Sequence, residues 1–247
     1  SPTEIITLVA RAGLGGIEWG GDVHVPHGDL ARAREVGRQT RDAGLAVAAY
    51  GSYYRLGQSE AEGLAFPRVL DTALALGAPT VRVWAGNRGT ADADEGYWSA
   101  VIGESRRIAG LAQAAGLTIS FEYHGRTLTD TNASAARLLG EIDHPQVRSY
   151  WQPPLGASRE HCLEGLRGVS AYLSNVHVFY WLPTTQGTDR RPLAEGAGAW
   201  AQYLAAVRAT GRDHYALIEF VRGDQPESLL ADAATLRAWL ARAPVPR

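Results

Sequence analysis

The sequence predicts an α/β chain folded as a (β/α)8 barrel, the TIM barrel, on three observations. Seven short segments rich in Val, Ile, Trp, Tyr and Phe alternate with alanine-, leucine- and arginine-rich stretches. Glycines recur where a helical stretch gives way to the next apolar segment, as in Ala43-Gly44-Leu45, Leu76-Gly77-Ala78 and Ala115-Gly116-Leu117. No GxGxxG turn follows an early strand, which argues against an open dinucleotide-binding sheet. No proline- or serine-rich linker interrupts the pattern, so residues 1–247 read as one domain.

The elements follow in order. Pro2–Ala12 opens as a helix with Ser1 or Thr3 as its cap. The expected strands are Gly16–Gly20, Ala46–Ser52, Thr80–Gly86, Thr118–His124, Arg148–Pro154, Asn175–Trp181 and Tyr215–Val221. Between them, Asp29–Ala43, Ala61–Ala75, Tyr97–Ala115 and Leu128–Ile142 carry apolar residues at helical spacing, Val69, Ala73 and Leu76 forming one stripe. Seven strand–helix units match an eight-unit barrel lacking its first strand. The chain starts at Ser1 and contains no methionine, so strand one is expected upstream of Ser1.

Composition narrows the function classes. Hydrophobic residues make up 45% and charged residues 20%, enough apolar material for a sizeable core. A net charge of −2 gives no basic footprint for nucleic acid. No apolar run reaches the roughly 18 residues of a membrane span. The single cysteine, Cys162, excludes a disulfide framework and makes a reducing, cytoplasmic setting the default.

In a barrel, reactive groups belong at the C-terminal ends of strands, and period-two alternation decides which side chains face inward. Thr118, Ser120, Glu122 and His124 share one face; Leu217, Glu219 and Val221 share another; so do Asn175, His177, Phe179 and Trp181, and Arg148, Tyr150 and Gln152. Four consecutive strands thus present Glu122, Gln152, His177 and Glu219. A lone glutamate at a strand end is usually a loop ion-pair partner, and a lone histidine between valines is usually a satisfied core residue. Four inward polar groups at equivalent strand ends are costly to bury unless a cation neutralises them. The mixed oxygen and nitrogen set suits Mn²⁺, Mg²⁺, Co²⁺ or Zn²⁺, of which Mn²⁺ is the expected ion.

Gly16-Ile17-Glu18-Trp19, Phe121-Glu122-Tyr123-His124-Gly125, Asn175-Val176-His177-Val178, Ile218-Glu219-Phe220 and Arg191-Pro192-Leu193-Ala194-Glu195-Gly196, in this order and spacing, resemble the xylose-isomerase-like TIM barrels over essentially the whole chain. The resemblance implies one divalent metal held by Glu, Asp, His and Glu, of which Glu122, His177 and Glu219 match three. Gln152 stands where the family has Asp, and Leu155 where it has His. Gln152 can ligate through its carbonyl oxygen but supplies no charge.

The implied chemistry is isomerisation or epimerisation of a sugar, cyclitol or glycoside, by proton abstraction next to a carbonyl through a metal-stabilised enediolate. Glu122 and Glu219 are the expected acid and base. His24, His124, Arg191, Trp84 and Trp181 are the expected substrate contacts, while His27, further along the His24 loop, is expected to face solvent. An aromatic rim with few arginines favours a non-phosphorylated substrate. A lyase using the same enolisation is the main alternative; a non-catalytic sugar-binding barrel and a multi-metal nuclease are weaker ones. Association into a homo-oligomer is left open.

Overall fold

The computed structural model describes residues 1–241. The elements in chain order are α1 (Pro2–Arg11), β1 (Gly16–Gly20), α2 (Leu30–Asp42), β2 (Ala46–Arg55), α3 (Phe66–Leu76), β3 (Thr80–Trp84), α4 (Glu95–Ala114), β4 (Thr118–Glu122), α5 (Asn132–Ile142), β5 (Val147–Trp151), α6 (Arg159–Gly168), β6 (Leu173–Val178), β7 (Tyr180–Thr184), β8 (Gly187–Arg191), α7 (Ala197–Arg208), β9 (Ala216–Ile218) and α8 (Pro226–Ala241). Seven parallel strands pair in the order β1-β2-β3-β4-β5-β6-β9, a nearly closed barrel wrapped by helices. Among the described residues no ladder joins β1 to β9. A cleft of about 320 Å³ opens along that seam, lined by Gly16, Glu18, Tyr215, Leu217 and Glu219.

Local chemistry sets the helix starts. Ser1 caps α1 in a reciprocal box with Glu4, Asp29 caps α2 through the Arg32 amide, and Asp94 caps α4 through the Tyr97 amide. Two helices begin later than their composition suggests. In α3, Pro67 sits in the first turn, where its missing amide costs nothing. In α5, Thr131 is the cap, and the preceding Thr127 and Thr129 turn their hydroxyls onto the loop, Thr129 donating to the Glu122 carbonyl at 2.6 Å. Val69, Ala73 and Leu76 are fully buried, as the stripe requires. Gly77 ends α3 at φ +80°, a left-handed cap that a side chain would strain.

One expected strand divides. Asn175–Trp181 was to run as a single strand; β6 stops at Val178, and Trp181 lies in β7, paired antiparallel with Arg190 of β8. The Gly187–Arg191 segment, which lies outside every expected strand, is therefore half of a hairpin. Its sequence, Gly-Thr-Asp-Arg-Arg, has no apolar face because the hairpin stands in solvent, and burial alternation had nothing to mark.

Candidate metal centre

Six side chains from six strands meet at the C-terminal mouth of the barrel. Glu18 lies on β1 between the outward Ile17 and Trp19, both buried. Arg82 lies on β3 between the buried Val81 and Val83, and Glu122 ends β4. Gln152 follows β5, His177 lies on β6 and Glu219 follows β9 by one residue. Each arrives by the same rule: strand alternation sends one face to the helices and the other inward.

Arg82 is paired with Ser120, two residues before Glu122 on the neighbouring strand, so its guanidinium reaches up the barrel. Its Nε donates to Glu18 Oε1 at 2.6 Å and its Nη1 donates to Glu122 Oε2. The Trp84 indole N–H donates to the same Glu122 oxygen. Glu219 accepts no hydrogen bond among the described residues and its side chain is 20% exposed, against 2% for Glu122.

Three oxygens converge on His177 Nδ1: Gln152 Oε1 at 2.8 Å, Glu122 Oε1 at 3.5 Å and Glu219 Oε2 at 3.5 Å. That nitrogen carries at most one hydrogen, so acceptors outnumber donors. Ligand atoms of Glu122, His177 and Glu219 all lie within 4.8 Å of one another, close enough for one ion to bond all three. Three carboxylates and one guanidinium sum to −2 with His177 neutral, the charge a divalent cation cancels. The donor set fits such an ion.

The two ligating carboxylates titrate in opposite directions. Burial pushes Glu122 up, but Arg82 and then His177 outweigh it and hold the carboxyl far below its ordinary range. Burial dominates at Glu219 and raises it, His177 pulling against and Glu122 adding to the rise. Burial lowers His177, and Glu219, Glu122 and Glu18 together overcome it, so its net shift is upward.

The other expected site residues divide into two groups. Trp84, His124 and Trp181 are at the mouth. His124 stacks on Trp84 with ring centroids 4.4 Å apart, and the Trp181 indole donates to the Phe220 carbonyl beside Glu219 at 3.2 Å. His24 packs edge-on against Trp19, with centroids 5.8 Å apart. Arg191 is exposed on the hairpin, bonded to Glu195 at 2.9 Å and facing Asp189 at 3.4 Å. His27 is half-buried rather than free in solvent, its Nδ1 meeting the Tyr50 hydroxyl at 2.7 Å. Glu18 and Arg82 had no sequence-based role. Their signal was the same alternation, since each is a charged residue between buried apolar neighbours on a central strand.

A model of the xylose isomerase-like TIM barrel family matches residues 6–242. The chain belongs to that family. It is 28% identical over 174 residues to a 3-dehydroshikimate dehydratase of Bacillus anthracis, a match spanning 63% of this chain and 61% of that relative. Among solved structures, a probable 3-dehydroshikimate dehydratase from Bacillus anthracis superposes with a TM-score of 0.80 at 22% identity, covering 96% of this chain and 93% of the other. A D-psicose 3-epimerase crystallised with D-fructose superposes with a TM-score of 0.71 at 16% identity, covering 98% and 92%. Both solved structures share the fold of this chain. No helix of the described residues is long and apolar enough to cross a membrane.

Proposed function

We propose that this chain is a divalent-metal-dependent sugar or cyclitol isomerase or epimerase, acting in the cytoplasm by removing a proton next to a carbonyl. The observation that carries the reading is the convergence of Glu122, Gln152 and Glu219 on one nitrogen of His177, with the ligand atoms of Glu122, His177 and Glu219 within 4.8 Å of one another. Mn²⁺ suits this set best, with Mg²⁺, Co²⁺ or Zn²⁺ as alternatives. When bound, the cation supplies a Lewis acid that polarises the substrate carbonyl and offsets the charge left by the departing proton.

The chain's own groups divide the remaining work. Glu219, partly exposed and without hydrogen-bond donors, is placed to take a proton from substrate entering the mouth. Glu122 has one oxygen committed to Arg82 and Trp84 and offers the other to the cation or to a returning proton. Trp84 and Trp181 flank the mouth as the proposed aromatic contacts of a sugar, and His124, stacked on Trp84 with its Nδ1 held by the Gly125 carbonyl, offers Nε2 to the sugar's hydroxyls. His24 and Arg191 belong to the proposed substrate contacts if the hairpin and the β1 loop approach a bound ligand.

A second reading, dehydration from the same enolised species, is favoured by the likeness to the 3-dehydroshikimate dehydratase. Loss of a β-hydroxyl would then follow proton abstraction. Incubating the Mn²⁺-loaded protein in D2O with hydroxy-ketone sugars, cyclitol ketones and 3-dehydroshikimate tests both. Metal-dependent deuterium uptake at the carbon beside the carbonyl supports the shared step. A product of unchanged mass apart from deuterium marks the isomerase, and loss of water marks the dehydratase. Neither exchange nor loss of water with any of these would leave a binding barrel.

A further inference from the structure

We infer that Glu18 sets the tautomer of His177, holding the ring proton on Nε2 so that Nδ1 is free to bond a divalent cation. This rests on the metal reading above and adds a positioning residue to it.

The imidazole has two distinct sides. Nδ1 faces Gln152, Glu122 and Glu219; Nε2 faces Glu18 Oε2 at 4.0 Å. Glu18 Oε2 is buried and has no hydrogen-bond partner within 3.5 Å among the described residues, whereas Oε1 is held by Arg82. A buried carboxylate oxygen left without a donor is costly; the Tyr150 hydroxyl also faces Glu18, and His177 Nε2, 4.0 Å from Oε2, is the metal-site nitrogen able to supply one. The separation exceeds an ordinary N–H···O bond by about 1 Å, within reach of a small rotation of the carboxylate about its anchored oxygen.

The neighbourhood holds this geometry in place. A Cβ at Gly51 would come within 2.7 Å of Glu18 Oε1 and 2.8 Å of Arg82 Nη2, so the glycine leaves room for the pair. Tyr150 packs edge-on against the imidazole, with centroids 5.1 Å apart, and its hydroxyl is fixed by Asn175 at 2.8 Å. A metal-bound imidazole donates its second N–H to a carboxylate or carbonyl, which fixes the ring and raises ligand basicity. Glu18 is the group placed to accept it.

Glu18→Gln provides the test. Its amide oxygen can still accept from Arg82, but the group then facing Nε2 is an NH2 donor, which selects the tautomer with the proton on Nδ1. The Mn²⁺ dissociation constant, read from the EPR signal of free Mn²⁺, should rise about 10- to 100-fold. In ¹⁵N-histidine-labelled protein loaded with diamagnetic Zn²⁺, the wild-type His177 spectrum should show the proton on Nε2, and Glu18→Gln should lose that pattern. Glu18→Asp, which keeps the charge with a shorter reach, should retain the Nε2 proton with an intermediate affinity.

Circular dichroism checks that each variant is folded, and the wild-type spectrum tests the tautomer without any substitution. Wild-type protein that binds no Mn²⁺ would defeat the metal reading itself. Wild-type protein that binds Mn²⁺ but carries the proton on Nδ1 would overturn the role of Glu18 alone. So would a Glu18→Gln protein with unchanged affinity, or one whose affinity falls while Nε2 stays protonated, since the lost charge would then account for the whole effect.

Discussion

The two sides of the barrel mouth carry the same residue type in opposite states. On the β3–β4 side, Glu122 is 2% exposed and receives hydrogen bonds from Arg82 and Trp84. On the β9 side, Glu219 follows a three-residue edge strand, is 20% exposed and receives none among the described residues. The first carboxylate is held ionised by a buried cation; the second is pushed toward its neutral form by burial. A pair of titratable groups driven apart in this way is the arrangement acid–base chemistry needs. The difference comes from what the neighbouring strand supplies: β3 brings an arginine to Glu122, and beside β9 the seam is open.

The largest expected effects are on turnover. Glu219→Gln should lower kcat by about 10²–10⁴ with the fold intact, as expected for loss of an acid–base group. Glu122→Gln should lose comparable activity together with Mn²⁺ affinity, since its remaining oxygen is the one offered to the cation. Steady-state rates combined with metal titration separate the two, and equal loss of affinity in both variants would erase the contrast drawn here.

Next in size is the buried ion pair. Arg82→Met strands Glu18 and Glu122 without a cation and should cost about 3–5 kcal/mol in denaturant unfolding of the metal-free protein. The pH dependence carries a sign. A carboxyl whose folded pKa is depressed contributes stability present above its unfolded value, 4.5, and lost as pH falls toward the folded value. Wild-type stability should therefore drop as pH falls below about 4.5, and in Arg82→Met this acid-side loss should shrink.

Glu219 predicts a smaller effect of the opposite sign. Its folded pKa is raised, so its ionisation opposes folding at neutral pH in the metal-free protein. Metal-free Glu219→Gln should melt at a higher temperature than wild type at pH 7, and the gain should vanish below about pH 4. The smallest effect expected is for Arg191→Ala. The exposed pair with Glu195 should contribute within about 0.5 kcal/mol, so an unchanged melting curve combined with a raised KM would identify Arg191 as a substrate contact.

Much of the site was legible because alternation is a local rule. Glu122, His177 and Glu219 each interrupt an apolar strand at its C-terminal end, and a parallel barrel gathers those ends whatever lies between them. Gln152 was also legible as an inward group one residue past Trp151, and it lies against His177. Glu18 and Arg82 obey the same rule but sit lower on their strands, so a search confined to strand ends passes over them. The hairpin of β7 and β8 was not legible, because an exposed ladder is held by backbone pairing and leaves no apolar signature.

The sequence by itself determined the alternation of strands and helices, the helix stops at Gly44, Gly77 and Gly116, and the inward face of each central strand. Those follow from backbone sterics and from the cost of burying charge, both of which act over a few residues. Only the tertiary structure decided that Arg82 would pair with Glu18 and Glu122 while Glu219 was left facing His177, with no arginine beside it among the described residues. That choice depends on which strand lies beside which and on their register, so residues 64 positions apart form one buried ion pair.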